Sequence, residues 1–215
     1  MRYKKSSGSS TTQYRYNQNG EVIAEANGSN QTTTTYVRGD RLLVKKDIAS
    51  AKEYYYLYNG HGDVVQIIDR NGAVVNAYTY DEWGNITQQS ETIPNSFKYA
   101  CEIYDNETGL YYLRARYYDP SMGRFINEAY EGQVTNPLSL NLYTYVQNNP
   151  LGFVDPSGND RCEIELMLKH ANEFEKDLKK TFKGIYKNDT NQYTYLYNMA
   201  AWKMRGNRSG QSRNY

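Results

Sequence analysis

The chain has 215 residues, enough for one domain or one and a half. Mean hydropathy is −0.88 and no long apolar run occurs, so no segment reads as a membrane-spanning helix. The formal net charge of +1 hides an asymmetry, with residues 160–215 at net +4 and residues 1–159 at net −3.

Residues 1–12 are rich in Ser, Thr and Lys, and composition predicts a disordered lead. Basic residues stand at the N-terminus with no apolar run behind them, so no usual secretory signal is present. The chain is then cytoplasmic, exported by another route, or the end of something longer.

From residue 13 to 99, short β-rich pieces alternate with glycine turns. Tyr16-Asn17-Gln18-Asn19-Gly20, Tyr36-Val37-Arg38-Gly39, Tyr58-Asn59-Gly60-His61-Gly62 and Tyr80-Asp81-Glu82-Trp83-Gly84 open on tyrosines 20, 22 and 22 residues apart. A period of this length marks a repeat in which each unit buries its apolar face against its neighbours. The 24 tyrosines suit half-buried strands, where the ring packs and the hydroxyl stays wet. Asn19-Gly20, Asn59-Gly60 and Asn71-Gly72 predict two-residue type I′ hairpin turns, and hence a β-meander.

Residues 100–158 are denser in Pro and Asx turns and end at Asp155-Pro156-Ser157-Gly158. The texture then changes. Met167, Ala171, Phe174, Leu178, Phe182 and Ile185 form one face of an amphipathic helix over about 161–186. Tyr193, Leu196, Ala200 and Met204 suggest a second. The fold class is therefore mainly β, a hairpin meander and a core, with a small α-helical segment over 159–215.

The motif order resembles the C-terminal core of the RHS/YD-repeat proteins. The resemblance rests on Tyr58-Asn-Gly-His-Gly-Asp63, Tyr78-Thr-Tyr-Asp-Glu-Trp-Gly-Asn85, Thr108-Gly-Leu-Tyr-Tyr112, Arg114-Ala-Arg-Tyr-Tyr-Asp-Pro120, Gly123-Arg-Phe-Ile126, Asn141-Leu-Tyr-Thr-Tyr-Val146, Asn148-Asn-Pro150 and Asp155-Pro-Ser-Gly158. It covers residues 54–158 closely and 13–53 more loosely, with the flavour of wall-associated members from Gram-positive bacteria. It implies that many repeats wind into a hollow shell around a variable C-terminal cargo, commonly a toxin used in competition between bacteria. It also implies self-cleavage just after the last motif, here at Gly158, Asn159 or Asp160. About four repeats cannot enclose a cavity, so the chain resembles a C-terminal cassette or a piece of a larger shell.

Self-cleaving members use an aspartate from each of two Asp-Pro-x-Gly motifs, and a carboxylate pair can divide the acid and base roles. Asp155 fits the second motif as a candidate catalytic acid. The first motif reads Ala129-Tyr130-Glu131-Gly132, and alanine has no proton to exchange. Glu128 or Glu131 are the substitutes at hand. The competing reading of Asp155 is a plain turn. His61 in its Gly-His-Gly turn reads as structural, and His170 as a solvated helix residue. Cys101 and Cys162 form neither a disulfide framework nor a zinc site. No cofactor or metal motif occurs.

Three functions follow. The chain is a toxin carrier cassette with an immunity protein or a larger shell as partner, a module whose exposed tyrosine surface binds cell-wall carbohydrate, or a self-processing peptidase. The basic tail, with Tyr193, Tyr195 and Trp202, also permits nucleic-acid contact. In the full-length family the protein is secreted or cell-wall associated.

Overall fold

The computed structural model describes residues 1–39, 41–128 and 141–159, and the backbone of 162–163. Nine strands form one antiparallel sheet in strict sequence order: β1 (Lys4–Ser7), β2 (Ser10–Tyr16), β3 (Val22–Ala26), β4 (Thr32–Arg38), β5 (Leu42–Asp47), β6 (Glu53–Tyr58), β7 (Val64–Asp69), β8 (Val74–Tyr80) and β9 (Ile86–Glu91). A second sheet holds β10 (Ile103–Asp105), β11 (Leu110–Leu113), β12 (Arg116–Asp119) and β13 (Arg124–Phe125). β14 (Phe153–Val154) pairs with β15 (Cys162–Glu163). No helix among the described residues is long and apolar enough to cross a membrane.

Two expectations need correction at the N-terminus and the turns. The lead over 1–12 is ordered, because β1 pairs with β2 from Lys4↔Gln13 to Ser7↔Ser10. Arg2 fastens it: its guanidinium pairs with Asp105 and lies over the rings of Tyr14 and Tyr112. Composition hides this because the partners are a hundred residues away. The Asn-Gly turns are not type I′. Gly20 and Gly72 take positive φ but Asn19 and Asn71 do not, and in Asn59-Gly60 neither residue does, the positive φ there falling on Gly62. The organiser is an Asx residue at the strand exit. Oδ1 of Asn17 accepts the amides of Asn19 and Glu21, and Oδ1 of Asn27, Asp69 and Asp81 accept the amides two and four residues on. Such a side chain closes the turn by mimicking a backbone carbonyl.

The pairing register also realigns the repeat. Tyr16, Arg38, Tyr58 and Tyr80 end their strands opposite Val22, Leu42, Val64 and Ile86. Arg38, not Tyr36, therefore holds the second leading position. Tyr36 belongs to a parallel row with Tyr14, Tyr56 and Tyr78, all buried. The leading row reaches back one course. Arg38 Nε donates to the Val22 carbonyl (2.8 Å), Tyr58 Oη to Leu42 (2.5 Å) and Tyr80 Oη to Val64 (2.8 Å), each spanning 16 residues. The wet hydroxyls expected of a tyrosine-rich sheet are instead paired inside it.

The second sheet docks on the turn after β8. Tyr99, Tyr118 and Tyr111 donate their hydroxyls to three consecutive carbonyls, Glu82 (3.0 Å), Trp83 (2.7 Å) and Gly84 (2.9 Å). Gly84 sits at φ +89°, and a Cβ there would stand 2.6 Å from the Tyr99 ring. Tyr99, Tyr111, Tyr118, Phe125, Tyr145 and Val146 close this second core.

Candidate functional site at the end of the core

The Asp155 turn is also closed by an Asx side chain, here through the amides two and three residues on. Asp155 Oδ1 accepts the Ser157 amide (3.2 Å), the Ser157 hydroxyl (3.1 Å) and the Gly158 amide (2.8 Å). Its other oxygen faces Arg116 Nη2 at 3.3 Å. Arg116 stands at the start of β12 and spreads its fork over the site. Nε donates to the Gly158 carbonyl, Nη1 to the Leu142 carbonyl (3.1 Å), and the guanidinium lies 3.5 Å from the Phe125 ring centre. A planar fork of five donors is what lets one residue serve three partners. The Asp155 side chain is 3% exposed and that of Arg116 7%.

Burial sets the electrostatics. Loss of water pushes the Asp155 carboxyl above its ordinary range, against the opposing pull of Arg116 and the turn's hydrogen bonds. Burial lowers Arg116 in turn, and Asp155 opposes that. Gly158 is wedged at φ +72°, and a Cβ would lie 2.0 Å from the Leu113 carbonyl oxygen. Only glycine fits where the turn meets the β11–β12 hairpin.

Sequence reasoning missed another buried carboxyl, one that Asp155 influences. Glu102 is pushed up to about 7, chiefly by burial. Arg114, which donates to it at 3.0 Å, and Arg38 pull it back, while the charge of Asp155 pushes it further up. Glu102 lies in no family motif quoted above, so only the fold could reveal it. Of the substitutes named from sequence, Glu128 accepts the hydroxyl of exposed Tyr143 (2.8 Å), and no described contact joins it to Asp155. Ala129, Glu131, Asp160 and His170 lie outside the described residues. So do the second expected helix and most of the one expected over about 161–186, but Cys162–Glu163, inside that first span, are in strand β15.

The backbone beside the site is strained. Val146, Gln147 and Asn148 take φ of 40°, 56° and 61°, a left-handed turn of three non-glycine residues, and Arg114 takes 53°. A β-branched residue in this region is a true outlier, kept only where packing over-determines it. Val146 is 4% exposed within the second core, beside Tyr145, which lies 4.0 Å from Tyr118 ring to ring.

The other candidates are structural in their contacts. Burial pushes the Cys101 thiol up, and it contacts Tyr58 Oη at 3.3 Å. Among the described residues no group of three His, Cys, Asp or Glu is arranged to hold a metal ion. The exposed tyrosine surface expected of a carbohydrate-binding module is absent from β2 to β9, whose tyrosines are buried or half-buried. Sheet periodicity puts Tyr14, Tyr16, Tyr36, Tyr56, Tyr58, Tyr78 and Tyr80 at alternate positions of their strands, and Tyr55, on the other side of β6, is buried as well.

Comparison with known proteins places these features. The family model for the teneurin YD-shell matches residues 1–151. The chain is 39% identical to the tRNA3(Ser)-specific nuclease WapA of Bacillus spizizenii over 163 residues, covering 74% of this chain and 7% of that protein. It is 35% identical to double-stranded DNA deaminase toxin A of Burkholderia cenocepacia over 124 residues, 52% of this chain and 8% of the relative. The chain thus spans less than a tenth of the length of these relatives. The Photorhabdus luminescens Tc holotoxin pore contains a chain of like fold, with a TM-score of 0.53 at 23% identity over 72% of this chain and 9% of that one. A nine-stranded tyrosine-stapled meander, a core docked on its last turn and this breadth of similarity make the chain a member of the YD-shell family of RHS/YD-repeat proteins.

Proposed function

We propose that the chain is the C-terminal carrier cassette of an RHS-type polymorphic toxin, presenting a variable tail used in competition between bacteria. The observation that carries this reading is the Asp155–Gly158 turn, clamped by buried Arg116 where the chain leaves the core. The relatives support it in a second way. One is named for cutting tRNA and another for deaminating DNA, yet both resemble half of this chain or more. A part common to proteins of different named activities suits a carrier better than a catalyst. Within this reading residues 159–215 are the cargo, an immunity protein or a larger shell is the partner, and the assembly is secreted or attached to the cell wall.

The test is growth of a bacterium expressing the full chain or a chain ending at Gly158, with and without the neighbouring gene. Arrest by the full chain alone, relieved by the neighbour, is the expected result. Unimpaired growth in every arm argues against an active tail.

A second reading, self-processing after Gly158, has one contact in its favour. Arg116 Nε already donates to the Gly158 carbonyl, where an oxyanion would develop during hydrolysis. Asp155 would exchange the proton through the oxygen that faces Arg116, since its other oxygen holds three donors. Intact mass of the purified chain decides this: a fragment beginning at Asn159 or Asp160, lost in Asp155→Asn, supports it.

A further inference from the structure

His61 occupies the turn between β6 and β7, far in sequence from the junction, yet it touches the segment that leads there. Its Nδ1 lies 2.7 Å from Asp63 Oδ1 and its Nε2 2.8 Å from the carbonyl oxygen of Pro150. The ring stacks on Tyr99 at 4.9 Å between centres. Asp63 is 4% exposed and is held by two further donors, the Ala100 amide on Oδ1 (2.8 Å) and Asn59 Nδ2 on Oδ2 (2.6 Å).

The protonation state follows from the partners. A peptide carbonyl only accepts, so Nε2 must carry a proton. An aspartate oxygen already taking a backbone amide suits an ionised carboxylate, so Nδ1 must carry one too. Both ring nitrogens donate only in the imidazolium. Burial and the nearby Arg41 oppose that charge, while Asp63 and the Pro150 carbonyl favour it and raise the group above its ordinary value.

We infer that His61 is a positioning residue held as an imidazolium, whose two donated bonds fasten the Pro150 loop, and with it the approach to the Asp155 turn, to the repeat sheet. Pro150 lies two residues after the left-handed turn at Val146–Asn148 and precedes β14 and Asp155. The His61–Pro150 bond joins the repeat sheet to this loop across 89 residues, so losing it loosens the loop locally. The sign is fixed by linkage. A histidine whose folded pKa exceeds its unfolded value of about 6.5 stabilises fully below that value, and the contribution disappears as pH rises through the folded pKa. The latch therefore holds at acid pH and slackens as pH rises through the folded pKa.

The inference uses the proposed function only for what the loop leads to, since the latch itself stands on the His61 contacts. Nitrogen NMR of the full chain tests it, with His61→Gln assigning the signals of the two histidines. A doubly protonated His61 at pH 7, titrating above about 6.5, is expected. Hydrogen-exchange protection over 150–155, corrected for intrinsic rate, should fall about tenfold in His61→Gln, as for loss of a charge-assisted hydrogen bond. It should fall likewise in the wild type above the measured pKa. A neutral single tautomer at pH 7, or a pKa at or below the reference value, overturns the inference. Unchanged protection in His61→Gln overturns it as well. If His61→Gln does not fold, the wild-type titration alone decides. Failure of the growth assay would leave all these readings standing.

Discussion

Arg116 and Asp155, 39 residues apart, meet at 3.3 Å in a site where both side chains are almost fully buried. Two charges taken out of water hold together only when the remaining donors and acceptors are also matched. Here they are, through Leu142, Gly158 and Ser157. Removing one partner should therefore cost far more than removing both. Arg116→Met is expected to destabilise the chain by about 3–5 kcal/mol, because Asp155 is left buried and unpaired. In the double variant Arg116→Met, Asp155→Asn the cost should fall well below the sum of the single costs. Denaturant unfolding of the four proteins gives the coupling, and additive costs would refute the pair.

Gly158→Ala should release the turn from the core. The added methyl meets the Leu113 carbonyl oxygen at 2.0 Å, and the backbone is left-handed as well. A loss exceeding about 1 kcal/mol is expected, since strain and clash act together. Gly152→Ala is the control, because its nearest contact is the Asn149 side chain, which can swing away. Thermal unfolding of both variants distinguishes a tight turn from a merely local preference.

Glu102 predicts a specific pH dependence. Its folded pKa of about 7 lies above its ordinary value, so the native state binds the extra proton between them. Stability should fall as pH rises through that window, with a slope of up to about 1.4 kcal/mol per pH unit. Glu102→Gln should flatten the slope. A stability profile unchanged by that substitution would show that the carboxyl is not protonated in the folded chain.

The reach-back bonds of the repeat make another prediction. Tyr58→Phe and Tyr80→Phe each remove one donor from a buried carbonyl while keeping the ring. Each should cost about 1 kcal/mol, and together they should add, since the two bonds serve different carbonyls. Chemical denaturation measures both. A cost near zero would mean that water replaces the hydroxyl.

Much of the fold is legible in the sequence. The period of the tyrosines gave the meander, because a sheet face repeats with its turns. The motif order gave the family. The errors came where partners are remote or equivalent. Arg2 looked like part of a loose lead because Asp105 could not be seen beside it. Tyr36 took the place of Arg38 because a cation and a phenol both donate to the same kind of carbonyl. Asn-Gly suggests a type I′ turn because the Asx residue that governs the geometry, Asn17 and Asp69 two places earlier or Asn59 itself, is a common residue in any loop. Asp155 was visible as a motif, but Arg116 as its partner was not, since nothing local links the start of β12 to residue 155. Glu102 was invisible altogether: burial, and not residue type, makes it unusual.

The bonds from Arg38, Tyr58 and Tyr80 share a polarity: every donor lies downstream of its acceptor. A ribosome delivers the acceptor first, so each new pair of strands finds its anchor already laid. Force applied at the far end meets the opposite order. It must strip the latest anchor before it reaches the one beneath, and tension on the tail would unravel the sheet in discrete steps, one course per step. Stretching single molecules from the C-terminal end would register those steps, and one all-or-none rupture would contradict them.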